Sequence, residues 1–144
     1  YKPGKMRMNI ISANGLKIIN DTYNASPQSM NAALDVLDEI GSDGGRIAVL
    51  GDMLEMGEWA MDAHTDVGRY AAGKRLRLLI TIGPNAAYIA KGALEAGFPE
   101  GSIRVASDNG EAARILEETL QNGDTVLVKG SRGMKMEELV NHLT

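Results

Sequence analysis

Leu16-Lys17-Ile18-Ile19-Asn20-Asp21-Thr22-Tyr23-Asn24-Ala25-Ser26-Pro27-Gln28-Ser29-Met30 carries the chain from an apolar strand, through a polar loop, into a helix. Asn14-Gly15 lies just ahead and is the strongest short hairpin signal, joining Leu16–Asn20 to Met8–Ala13. Ser26 is a natural N-cap, and Pro27 suits the first helical position. Met30, Ala33, Leu34, Leu37 and Ile40 then recur at helical spacing until Gly41 ends the run.

Outward from that stretch the same alternation repeats. Ile47–Leu50, Leu78–Ile82 and Thr125–Val128 are short apolar runs of the kind found in buried parallel strands, and Ile103–Val105 is a weaker one. Helical patterns over Glu58–Ala72, Asn85–Ala96, Asn109–Leu120 and Lys135–Leu143 separate them. Asp108 with Glu111 has capping-box spacing, and Gly97-Phe98-Pro99 and Asn122-Gly123 read as helix stops. Strand alternating with helix predicts an α/β fold: a Rossmann-like, mostly parallel sheet flanked by helices on both faces, with an N-terminal β-hairpin contributing an antiparallel strand. Gly51, Gly83 and Gly130 close three strands. Ligands of such sheets sit beyond the strands' carboxyl ends, where glycine lets backbone approach them; glycine also simply turns the chain.

Composition narrows the function. The 144 residues are 44% hydrophobic, enough for one domain with a real core. A net charge of -4 offers no basic field for nucleic acid or an anionic membrane. The absence of cysteine removes disulfides, thiolate metal sites and cysteine nucleophiles. No apolar run reaches the roughly 18–20 residues of a membrane span, and no signal peptide is visible, so a cytoplasmic protein is expected. Tyr1-Lys2-Pro3-Gly4-Lys5 reads as a linker, so the chain is expected to be part of something longer, with residues 1–7 as linker and 8–144 as domain. No P-loop and no G-x-G-x-x-G follows any strand. His64 and His142 lack metal-ligand spacing, and no metal site is expected within the chain.

Three loops remain as candidates. Asp21 can accept from both ribose hydroxyls, Asn24 offers a donor and an acceptor to an adenine edge, and Tyr23 can stack on a base or pack into the core. An Asx-turn leading into the helix explains the same residues without a ligand. Arg7 has the fork geometry for a phosphate, although an isolated arginine is ordinarily solvated. Asp52 and Glu55, after the strand Ile47–Leu50, can hold an ammonium group or a metal, or favour the start of the next helix. His64, one turn into that helix beside Asp62 and Asp66, reads as a surface or packing residue. Lys129-Gly130-Ser131-Arg132-Gly133 combines two cations, a hydroxyl and two glycines ahead of a helix, which suits a carboxylate or a phosphate. Met53, Met56, Met61, Met134 and Met136 read as core filler.

Four of these segments, in this order, resemble one family. Pro3 to Met8 is similar to the linker entering the C-terminal domain of the Mur ligases, with Met6 where glycine is usual. Asp21-Thr22-Tyr23-Asn24-Ala25-Ser26-Pro27, Leu50 to Gly57 (followed by His64 and Val67-Gly68), and Val126 to Glu137 resemble three further signatures of that family. Asn24, where sister ligases carry histidine, points to the member that adds D-alanyl-D-alanine to UDP-N-acetylmuramoyl-tripeptide in peptidoglycan synthesis.

The resemblance implies a C-terminal domain that works with central and N-terminal domains of the same ligase, the central one carrying the P-loop, the Mg2+ ligands and a modified lysine. ATP would activate the tripeptide carboxylate as an acyl phosphate, and the dipeptide amine would attack it. By resemblance, Arg7, Asp21, Tyr23 and Asn24 hold the nucleotide, while Asp52, Lys129, Ser131 and Arg132 form the dipeptide side. No catalytic residue is expected within the chain, which alone would be inactive. The alternatives are a sister Mur or folylpolyglutamate ligase, and a non-catalytic α/β nucleotide-binding module.

Overall fold

A computed structural model describes residues 8–41 and 44–144. Arg7 and the rest of the expected linker lie outside the described residues. Eleven regular elements follow one another: β1 (Asn9–Ala13), β2 (Leu16–Asp21), α1 (Pro27–Ile40), β3 (Arg46–Gly51), α2 (Ala60–Ala72), β4 (Leu78–Ile82), α3 (Ala87–Glu95), β5 (Ile103–Ala106), α4 (Asn109–Thr119), β6 (Thr125–Lys129) and α5 (Glu137–Leu143).

The strands form one sheet in the order β1-β2-β6-β3-β4-β5. Only the β1–β2 pair is antiparallel. It turns through Asn14 and Gly15, both at positive φ (53° and 78°), as a two-residue hairpin with right-handed strand twist requires. The Asn14 amide also donates to the carbonyls of Leu143 and Thr144, tying the end of α5 to the hairpin.

Because side chains alternate across a strand, each parallel strand feeds two cores. Ile19, Ala48, Leu50, Leu79 and Leu127 face α1, α2 and α3, meeting Met30, Leu34, Leu37, Val67 and Ile89. Ile18, Ile47, Val49, Ile80, Val126 and Val128 face α4 and α5, meeting Ile115, Leu116, Leu139 and Leu143. Burial of each such valine, leucine, isoleucine or methionine side chain favours folding by about 1.5–3 kcal/mol, which is why β3, β4 and β6 read as unbroken apolar runs. β5 is the weak run because it is the sheet's edge, with Arg104 and Val105 exposed.

Capping residues fix the helix starts. The Ser26 hydroxyl accepts from Ser29 N–H while the Ser29 hydroxyl accepts from Ser26 N–H, a reciprocal cap built from two serines. Asp108 accepts from Glu111 N–H, but the Glu111 carboxylate reaches past the cap to Ser107. Three helices, α2, α3 and α5, each begin two residues later than their apolar spacing predicts. A 3-10 turn at Gly57–Trp59 precedes α2, and another at Arg132–Met134 precedes α5, separated from it by Lys135 at φ 53°.

The expectation of methionine as core filler holds for Met53 and Met136, but Met61 is half exposed. The three strand-end glycines are less open than expected. A side chain at Gly51 or Gly130 would strike the Met136 sulfur, and one at Gly83, held at φ 110°, would strike the Asp52 carboxylate. Close packing inside the protein, as much as access for a ligand, demands them.

Candidate functional site

β2, β3 and β6 lie side by side with β6 in the middle, so the loops leaving their carboxyl ends meet at one place. The first loop begins at Asp21, the last residue of β2. Parallel register sets Asp21 opposite Lys129, the last residue of β6, on the face covered by α1. The Lys129 ammonium lies 2.7 Å from Asp21 Oδ2 and also donates to the Asn24 carbonyl at 2.8 Å. Both side chains are buried. Thr22 is buried too and donates to Asn20 Oδ1, whereas the side chains of Tyr23 and Asn24 stand in solvent.

The second loop follows β3. Asp52 is buried; its Oδ1 accepts from Ala86 N–H at 2.6 Å, beside the start of α3, where the helix dipole favours a negative charge. Met53 N–H donates to His64 Nε2 at 2.9 Å, and His64 Nδ1 lies 2.6 Å from the Ala60 carbonyl. Accepting at Nε2 requires the proton on Nδ1, so this buried histidine is neutral and braces the loop. Glu55 follows at φ 66°.

The third loop is stitched to the second. Ser131 N–H donates to the Asp52 carbonyl, and Leu54 N–H donates to the Ser131 hydroxyl at 2.7 Å. Arg132 is exposed, its guanidinium 5.7 Å from the Tyr23 ring centroid. That separation suits a cation–π contact.

These loops enclose an open pocket of about 330 Å3, whose lining includes Tyr23, Asn24, Leu54, Glu55, Ser131 and Arg132. An aromatic face, an amide, a hydroxyl, a cation and an anion therefore converge on one space. A larger groove of about 520 Å3 between the ends of β4 and β5 is mostly apolar and has no cation. The carboxylate there, Glu111, is engaged by Ser107. Size favours that groove, but convergent polar chemistry favours the smaller pocket. Among the described residues, no three His, Asp or Glu side chains are grouped to hold a metal ion. No helix of the described residues is long and apolar enough to cross a membrane.

The structure thus brings Tyr23, Asn24, Ser131 and Arg132 into one pocket, while Asp21, Lys129 and Asp52 lie buried behind it. Arg7 lies outside the described residues. Sequence reasoning reached Glu55 only as one of two acids, and missed Leu54 as a wall. It also missed the amide of Ala86, which takes the carboxylate of Asp52. A backbone donor carries no residue-type signal.

Comparison with known proteins follows the same lines. The profile described as "Mur ligase, glutamate ligase domain" matches residues 6–132. UDP-N-acetylmuramoyl-tripeptide–D-alanyl-D-alanine ligase of Bacillus subtilis (strain 168) is 37% identical over 139 residues, which cover 96% of this chain and 30% of that protein. The ligase of the same name from Haemophilus influenzae is 36% identical over 130 residues, 89% of this chain and 27% of its own length. Among solved structures, MurF from Acinetobacter baumannii superimposes with a TM-score of 0.83 at 31% identity, across 96% of this chain and 30% of that one. MurF ligase from Thermotoga maritima, solved in complex with ADP, gives 0.77 at 27% identity over the same shares. The chain therefore spans less than a third of the length of these relatives. With the fold, the loop order and the family profile in agreement, the chain belongs to the Mur ligase family.

Proposed function

We propose that this chain is the C-terminal domain, residues 8–144 behind a linker at 1–7, of a cytoplasmic ATP-dependent ligase that joins D-alanyl-D-alanine to UDP-N-acetylmuramoyl-tripeptide. The observation that carries the reading is the pocket in which Tyr23 and Asn24 stand across from Ser131 and Arg132. One wall suits a nucleoside, and the other suits the free carboxylate of a dipeptide. Two relatives more than 35% identical carry that activity in their names, and a more distant one was solved with ADP.

In this reading ATP transfers its terminal phosphoryl group to the tripeptide carboxylate, and the dipeptide amine then displaces phosphate to form the amide. The chain contributes positioning. Asp21 and Asn24 hold ribose and adenine, Tyr23 stacks, and Arg7 reaches the phosphates. Arg132 and Ser131 take the dipeptide carboxylate in a charge-assisted pairing. Glu55, on the same pocket, suits its ammonium group. Asp52, whose Oδ1 is engaged by Ala86 N–H, shapes the loop that carries Leu54 and Glu55. Mg2+ accompanying ATP would neutralise phosphate charge, and its ligands belong to the rest of the longer protein, as does the P-loop.

The test uses the full-length protein with ATP, Mg2+ and UDP-N-acetylmuramoyl-tripeptide. Phosphate release is followed with D-alanyl-D-alanine or with single amino acids as the amine. Release with the dipeptide alone is expected. Release with a single amino acid would identify a sister ligase, and no release with any amine would overturn the enzyme reading.

A further inference from the structure

Lys129 heads the fully buried side chains by volume, with 1% of its surface exposed. We infer that Lys129 is a positioning residue for the nucleotide half of the pocket and not a partner for the dipeptide carboxylate. The inference rests on the functional reading above and assigns one residue within it.

Burial decides the matter first. A carboxylate arriving from solvent can reach the Lys129 ammonium only by displacing partners already in place, because no open face of the side chain is left. A buried ammonium without acceptors is costly, so the Asp21 carboxylate and the Asn24 carbonyl are obligatory partners. Arg132 has the opposite disposition: it is exposed and lines the pocket. The two cations of the last loop therefore divide, one inward and one outward.

What Lys129 holds is the loop that bears the nucleoside-facing groups. Its ammonium grips that loop at Asp21 and again at the Asn24 carbonyl. Between those two points lies Tyr23, and the second point fixes the backbone from which the Asn24 amide projects. The ion pair takes one oxygen of Asp21 and leaves the other to accept from a hydroxyl. Lys129 thus acts on the nucleotide through Asp21 and Asn24, from the strand that delivers Ser131 and Arg132 to the other wall.

Steady-state kinetics of the full-length ligase test this, with KM measured separately for ATP and for D-alanyl-D-alanine. Lys129→Met should raise KM for ATP about tenfold, as expected for losing a hydrogen bond to a charged group. KM for the dipeptide should stay within about twofold, since uniform binding of that substrate is untouched. Asp21→Asn should show the same split, and the double variant should be no worse than Lys129→Met, because both singles remove one contact. Should Lys129→Met fail to fold, the double variant leaves neither charge unpaired and carries the same comparison. A dipeptide KM that rises as much as or more than that for ATP, in either variant, would overturn the inference while leaving the proposed reaction intact. A wild-type protein without dipeptide-dependent phosphate release would instead remove the reading on which the inference rests.

Discussion

Asp21 closes β2 and Asp52 follows β3, and burial takes both carboxylates out of water. Their partners differ, and so do the expected costs of losing them. Replacing Asp21 by Ala leaves the buried Lys129 ammonium uncompensated, which should lower stability by about 3–5 kcal/mol in chemical denaturation. Asp52→Ala leaves only a neutral amide, Ala86 N–H, without its acceptor, and about 1–3 kcal/mol is expected in the same experiment. A smaller loss for Asp21 than for Asp52 would refute this ranking.

Two carboxylates near the surface contribute to the acid limb. Asp35 is held below its ordinary value by hydrogen bonds from Lys74 and then Tyr70, and Asp38 by the Arg75 backbone N–H and side chain. A depressed folded-state value means that this stabilisation is complete above the unfolded carboxylate range and is lost as pH falls through the folded values. Lys74, raised by its bond to Asp35, loses its share only as pH climbs beyond 10.5. Each exposed contact contributes no more than about 1 kcal/mol and is screened by salt. A Tm profile should accordingly sag gently below pH 4 at low salt and flatten when salt is added. A profile indifferent to salt would exclude these pairs as its cause.

Helix α2 packs on α3 through two glycines. A Cβ on Gly68 would lie 1.9 Å from the Ile89 carbonyl oxygen, and one on Gly92 would lie 2.1 Å from the Thr65 carbonyl oxygen. Gly→Ala within a helix ordinarily stabilises by about 0.5–1 kcal/mol. Here backbone must move, so Gly92→Ala should instead destabilise by about 1–3 kcal/mol. A raised Tm for that variant would show that the helices can separate freely.

Elements of this kind were legible because their signals are local. Apolar runs marked β3, β4 and β6, the Asn14-Gly15 pair marked the hairpin, and Ser26-Pro27 marked the start of α1. Pairing between elements was not legible. Asp21 and Lys129 stand 108 residues apart, and only the β2–β6 register makes them opposites. Nothing in residue type told a buried lysine from an exposed arginine three positions on. The 3-10 turns were hidden for a related reason: Gly57–Trp59 runs into the start of α2 and Arg132–Met134 lies in the glycine-bearing loop ahead of α5, and residue type does not separate such a turn from a helix start or a loop.

At the scale of the whole molecule, the proposed function gives the chain one wall for a nucleoside, while its sequence holds no P-loop for the phosphates. The domain alone should therefore bind ATP weakly, with no micromolar isotherm in titration calorimetry. Micromolar affinity would show that phosphate recognition resides here after all.

Met136 has the widest consequence. Its thioether fills the space under both Gly51 and Gly130, while Ser131 bonds to Asp52 and Leu54 above them. Two of the pocket's three walls consequently share a single floor and cannot widen independently. Any adjustment to a larger or smaller ligand in this pocket has to come from the Tyr23–Ala25 rim. The dimensions of this pocket are cast in the sheet itself.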